Sequence, residues 1–147
     1  MADFSALSKY KVTEDNTARY IFTGLPGAPW VECKPATKAN SKYISIILKN
    51  PNTALANKQI SNGIVPSEKV LNSASDSVID AYAQAVIVKW GDFEEITPDK
   101  TTPPCNKANV KQFLTAISDT TEWDEFQAWA QNPRSFLAVD SEEKAKN

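Results

Sequence analysis

The chain has 147 residues, 41% hydrophobic and 23% charged, the composition of a folded protein long enough to bury a core within one domain. No apolar run approaches the roughly 18 residues of a membrane span, and Met1-Ala2-Asp3-Phe4-Ser5 lacks the basic and apolar regions of a signal peptide, so a soluble intracellular protein is expected. The net charge of −2 is unevenly placed: residues 1–60 carry eight Lys/Arg against four Asp/Glu, residues 61–118 five against seven, and residues 119–147 three against seven.

In chain order, residues 1–17 read as an N-terminal arm, a short helical turn with scattered apolar positions (Phe4, Leu7, Tyr10, Val12) followed by extended chain. Arg19-Tyr20-Ile21-Phe22-Thr23 is aromatic and β-branched, and the turn-forming stretch Gly24-Leu25-Pro26-Gly27-Ala28-Pro29 follows it. Trp30-Val31-Glu32-Cys33-Lys34 then alternates apolar and polar residues with a period of two, so 18–34 is predicted to be a β-hairpin. Thr37 is placed to cap a helix over 38–49, in which Ala39, Tyr43, Ile46 and Ile47 make an apolar face widened by Ile44 and Leu48. Pro51 stops that helix, because proline disfavours α geometry in the residue before it.

Residues 50–75, rich in Asn and Ser, read as a flexible stretch with at most a short helical piece near Glu68 to Leu71. Ser75 or Asp76 would cap a helix over 76–90, with Ile79, Tyr82, Ala83, Val86 and Trp90 at helical spacing and Val78, Ala85 and Ile87 broadening the stripe. Gly91-Asp92 would end it, and residues 92–104 form an acidic, then proline-rich loop. A helix over 107–118, opened by Asn106, puts Val110, Phe113, Leu114 and Ile117 on one stripe at i, i+3, i+4 and i+7. Thr120 or Thr121 caps a last helix over 121–131, where Glu122, Asp124 and Glu125 face the positive end of the helix dipole. Asn132-Pro133 ends it, Phe136 and Leu137 can fold back as a tether, and 138–147 is a charged tail. The predicted class is α+β, mainly helical, with an N-terminal hairpin followed by three to four helices in a single domain over 18–137.

Catalysis is disfavoured by what the chain lacks. With no histidine it has no common general base, triad base or transition-metal ligand. Cys33 and Cys105 are too few for a zinc site and read as reduced thiols. Four glycines make no phosphate-cradling loop, and the acidic groups at Asp92/Glu94/Glu95, Asp124/Glu125 and Glu142/Glu143 read as solvated surface. No catalytic residue, metal or cofactor is therefore assigned. Partner binding is the better reading, with Tyr43, Tyr82, Trp90, Trp123, Phe126, Trp129 and Phe136 as candidate contacts, since large aromatics dominate binding hot spots. Trp123 and Trp129 stand six positions apart, about 240° around a helix, so they cannot both centre on one narrow buried face. Opposed end charges allow head-to-tail self-association or docking of a partner of either sign, although solvation of both faces accounts for them as well. Lys38, Lys42 and Lys49 would share a helix face, but with so little basic clustering nucleic acid is an unfavoured partner.

The order of motifs resembles a known family. Pro35-Ala36-Thr37-Lys38-Ala39-Asn40-Ser41-Lys42-Tyr43 opens an aliphatic helix after the hairpin, and Val86-Ile87-Val88-Lys89-Trp90-Gly91-Asp92-Phe93 precedes an acidic turn. Asn109-Val110-Lys111-Gln112-Phe113-Leu114 follows, and a Trp/Phe helix ends in Asn132-Pro133-Arg134-Ser135-Phe136, with the tail Ala145-Lys146-Asn147. Over residues 19–137 this is similar to the small tail assembly chaperones of long-tailed bacteriophages. One departure is Asp99-Lys100-Thr101-Thr102, which lacks the glycine of the family's Asp-x-x-Gly turn. The resemblance implies a non-enzymatic protein of the host cytoplasm that binds the tape-measure protein and recruits tail tube subunits. It also implies short and frameshifted long forms, of which this chain would suit the short one. A structural virion protein, such as a head–tail or tail accessory component, is the alternative.

Overall fold

A computed structural model describes residues 2–137; the charged tail expected at 138–147 lies outside the described residues. The hairpin forms as its residues predict. β1 (Ala18–Ile21) pairs antiparallel with β2 (Trp30–Cys33), with Tyr20 opposite Val31 and Ile21 opposite Trp30. Between them the turn passes through left-handed backbone at Gly27 and Ala28. A side chain at Gly27 would crowd Glu95, which packs against the turn.

Helix α1 (Ser41–Lys49) starts three residues later than the sequence suggests, because Asn40 and not Thr37 is its cap. Asn40 is buried and does three jobs. Its Oδ1 accepts from Tyr43 N at 3.2 Å, while its Nδ2 donates to Pro35 O at 3.0 Å and Ala85 O at 2.8 Å. Thr37 only closes a local turn on Ala39.

Residues 50–75 are not an unstructured stretch. Pro51 does stop α1, but it is also the first residue of α2 (Pro51–Ser61), a position where its missing N–H and fixed φ suit a helix start. Asn50 serves both helices, and its side chain accepts from Asn52 N and Thr53 N. Ser67 then caps α3 (Glu68–Ala85) by accepting from Val70 N at 3.3 Å, eight residues before the caps suggested by the sequence.

The predicted helix over 76–90 also ends early. Val86-Ile87-Val88 is β-branched, a composition favouring extended chain where a strand partner is available, and β2 supplies one. β3 (Ile87–Gly91) pairs antiparallel with β2, giving a three-stranded sheet in the order β1-β2-β3. Trp90 stands opposite Val31, and a register irregularity lies at Glu32/Cys33. Gly91 therefore lies within a strand, where the absence of a side chain lets the Trp30 indole lie against it. The Arg19 guanidinium sits 3.7 Å from the Trp30 ring on the outer face of the sheet.

Helices α4 (Lys107–Ile117) and α5 (Thr121–Ala130) follow, capped by Asn106 and Thr120, and a 3-10 helix Pro133–Phe136 returns Phe136 to the core. A second 3-10 helix, Ser5–Tyr10, occupies the N-terminal arm. The architecture is α+β and mainly helical. Its core lies where the inner face of the sheet, α3, α4 and α5 meet.

Candidate protein-binding surfaces

The seven aromatic residues singled out by the sequence are brought together, but inward. Tyr43 meets Tyr82 edge to face at 5.7 Å, and Tyr82 meets Trp123 at 5.2 Å and Phe126 at 5.7 Å. Phe126 continues to Trp129, which packs on Phe136 at 5.1 Å. Trp90 joins through Phe113, Phe22 and Phe126, with centroid spacings of 6.0, 5.3 and 5.3 Å. Such edge-on and tilted ring contacts stabilise by about 0.5–1.5 kcal/mol each beyond the area buried.

Of the seven, only Trp129 keeps appreciable exposure, lying over Tyr20 at the side of the core; Trp123 is buried. The two tryptophans thus differ in the way their 240° separation requires. The other six form part of the interior. Burial also raises the Tyr82 hydroxyl's pKa strongly and that of Tyr43 to a lesser degree, because a phenolate there would lose its water. The Tyr82 hydroxyl makes no hydrogen bond of normal geometry, although Tyr43 and Gln131 stand beside it. Cys33 is buried and reduced and its thiol is pushed well up by desolvation; Cys105 is also free, partly exposed.

Beside the exposed N-terminal arm, two apolar surfaces stand out among the described residues. One is the helical lobe of α1, α2 and the first half of α3. Half of the twelve large apolar side chains exposed among the described residues fall within 48–71, namely Leu48, Leu55, Ile60, Ile64, Val65 and Leu71, with Val65 86% and Leu48 75% exposed. Helix α2 is packed inside out. The stripe it turns toward α3 is Asn52, Thr53, Ala56 and Gln59, while Leu55 and Ile60 flank that stripe in solvent. Asn52 Nδ2 reaches Ser73 Oγ at 3.0 Å, but Thr53 Oγ1 and Gln59 Oε1 are buried without a hydrogen-bond partner. Each such group costs on the order of 1–3 kcal/mol.

The other surface is an apolar cleft of about 520 Å³ between residues 92–104 and α4, with Trp90, Phe93, Ile96, Pro98 and Phe113 in its walls and Gln112 and Ala116 at its α4 edge. The loop is fixed across it by hydrogen bonds. Trp90 Nε1 donates to Pro103 O at 2.7 Å, Asn109 Nδ2 to Pro104 O at 2.9 Å, and Phe93 N to Thr102 Oγ1 at 3.1 Å. Within the loop Lys100 takes the left-handed conformation at φ 58°, and Thr97, Asp99 and Thr101 bond around it.

No protein-family model matches this chain, and no curated protein and no solved structure matches it. Functional assignment therefore rests on the residues themselves and on the motif resemblance. Among the described residues no helix is long and apolar enough to cross a membrane. The lysine stripe considered for nucleic acid does not form as a helix face, because Lys38 lies in the turn before α1. Sequence reasoning missed the helical lobe because Asn- and Ser-rich composition masks two capped helices. It missed most of the cleft because Ile96 and Pro98 lie in a loop with no periodicity.

Proposed function

We propose that the chain is a tail assembly chaperone of a long-tailed bacteriophage, which holds apolar helical segments of the tape-measure protein in the host cytoplasm and recruits tail tube subunits to them. The observation that carries this reading is the helical lobe, where six aliphatic side chains stand in solvent around a helix whose inward stripe is polar apart from Ala56. Exposed apolar surface of this kind marks a site for a protein partner, and a long amphipathic client helix would supply the missing apolar neighbours. The motif resemblance supplies the identity of the client.

The test is capture of the tape-measure protein and the tube subunit of the same phage by the purified full-length chain. Replacing Leu55 and Ile60 by Asp should weaken capture of the tape-measure protein at least tenfold while the circular dichroism spectrum is kept. Failure to capture either protein would sink the proposal. The alternative, a structural virion component, is favoured by the two sheet edges, β1 and β3, that have no strand neighbour among the described residues. A stoichiometric amount of the chain in purified virions would decide for it.

A further inference from the structure

The helical lobe carries charge as well as apolar surface. From Ser41, where α1 begins, to Leu71, the last of the lobe's exposed aliphatic residues, the chain has Lys42, Lys49, Lys58 and Lys69 against the single carboxylate Glu68. The rest of the chain has twelve Lys/Arg against seventeen Asp/Glu, so the lobe is the basic pole of an otherwise acidic molecule. All four lysines are exposed, and none of them makes an ion pair among the described residues. The next carboxylates along α3 are engaged elsewhere. Asp80 pairs with Lys107 at 3.5 Å and Lys111 at 3.3 Å, both on α4, and Asp76 shares a hollow with Thr115 and Asp119.

Cations and aliphatic side chains are interleaved in the lobe. Lys58 follows Leu55 by three positions, which makes the two neighbours on the surface of α2, and Lys49 follows Leu48 at the end of α1. Only Asn50 separates the two helices. A partner that covers Leu48 and Leu55 brings its flanks to Lys49 and Lys58, where carboxylates would meet ammonium groups in partly dried contact. Other anionic surfaces fit less well. Over 41–71 there is no arginine to hold phosphates two-pronged, and Tyr43, the one aromatic residue there, is buried and offers no base a stacking face. An anionic membrane asks for one continuous apolar face, whereas Leu55 and Ile60 lie on either side of the polar stripe of α2.

On the reading that the lobe is the client site, we infer that it selects amphipathic helical segments whose apolar stripe is flanked by Asp or Glu. A segment with Lys or Arg in those places is turned away by like charge.

The experiment measures binding of the full-length chain to three labelled helical peptides by fluorescence anisotropy. All three carry the same leucine stripe at i, i+3, i+4 and i+7, and their flanking positions are all Glu, all Gln or all Lys. At about 50 mM salt the Glu peptide should bind at least tenfold more tightly than the Lys peptide, with the Gln peptide between them. At about 500 mM salt the three should fall within about threefold of one another, since the charges are screened. Lys49→Glu with Lys58→Glu should reverse the order of the Glu and Lys peptides while the circular dichroism spectrum is kept, because both positions are exposed. Lys49→Gln with Lys58→Gln removes charge without adding any and should narrow the preference for the Glu peptide at least threefold. Equal binding of the three peptides, or a preference unchanged in both sets of variants, overturns the inference. So does tighter binding of mixed-sequence duplex DNA or of phosphatidylserine vesicles than of the Glu peptide. If the Glu peptide binds only a chain lacking residues 138–147, the chain's own end is the occupant and the assignment is wrong. Capture of the tape-measure protein that ignores the lysine substitutions keeps the client reading and sinks the charge selection, whereas Glu-peptide selectivity without capture does the reverse.

Discussion

The half of the molecule built by the sheet, the end of α3, α4 and α5 differs in kind from the lobe built by α1, α2 and the start of α3. In the first, ring packs on ring in an unbroken series from Tyr82 to Phe136, which Tyr43 of α1 joins at Tyr82, and Asn40 Nδ2 ties the start of α1 to Ala85 at the end of α3. In the second, the helices are well capped, yet one of them turns amide and hydroxyl groups inward and leaves leucine and isoleucine in water. Good local signals therefore suffice to make helices, but a stable interface between helices requires their inward faces to be apolar or fully bonded. The lobe meets only the first condition, and that is why the proposed function places the client there.

Breaking the aromatic half should have the largest effect. Phe126 is fully buried against Tyr20, Phe22, Tyr82, Trp123 and Trp129. Phe126→Ala should destabilise by about 3–5 kcal/mol in denaturant titration, whereas Leu55→Ala in the lobe should change stability by less than about 1 kcal/mol. A loss at Phe126 no greater than at Leu55 would erase the contrast.

Alkaline pH should act mainly on the aromatic half. The folded state holds the Tyr82 and Cys33 protons more tightly than the unfolded chain does, because burial raises both pKa values. The stability this provides is present in full below the unfolded values, about 8.5 for cysteine and about 10 for tyrosine, and is lost as pH rises above them. The melting temperature should therefore begin to fall near pH 9. With no histidine in the chain, no comparable step is expected between pH 6 and 8. Tyr82→Phe should reduce the alkaline loss.

Asn40→Ala should cost about 2–4 kcal/mol, since it removes a helix cap and leaves the carbonyls of Pro35 and Ala85 without that donor. Asn50→Ala, which caps α2 in the lobe, should cost only about 1 kcal/mol. The smallest expected change is a gain. Thr53→Val replaces a buried hydroxyl that has no partner by a methyl group of the same shape and should stabilise by about 1 kcal/mol in the same titration. A loss there would mean that the hydroxyl is satisfied in solution.

Much of the aromatic half could be read from the sequence. The hairpin, α4, α5 and the return of Phe136 follow from period-two alternation, an i, i+3, i+4, i+7 stripe and an Asn-Pro stop. Each of these signals is local. The errors arose where a long-range partner decided the outcome. Val86-Ile87-Val88-Lys89-Trp90 continues the helical spacing of Ile79, Tyr82 and Ala83, and only pairing with β2 makes it a strand. Asn40 and Thr37 are both local cap candidates, and the buried bond from Asn40 to Ala85, 45 residues away, is what fixes Asn40 in that place. The aromatic residues were legible as a group, but nothing in their spacing told whether the group would face solvent or itself. The lobe was lost to composition, since Asn50 and Ser67 look like loop residues until they are recognised as caps.

The join between α3 and β3 has a mechanical consequence. A helix of 18 residues, about 27 Å long, runs into a strand with Val86 as the only intervening residue. Such a joint has almost no slack. At its far end the rod carries Leu71 in the lobe, and immediately beyond its near end the strand delivers Trp90 to the cleft. The lobe and the Trp90 wall of the cleft therefore belong to one continuous segment, in which the helix axis and the register of Trp90 against Val31 are set together. A single residue, Val86, is all the irregular chain that separates the rod reaching into the lobe from the strand that carries the cleft's tryptophan.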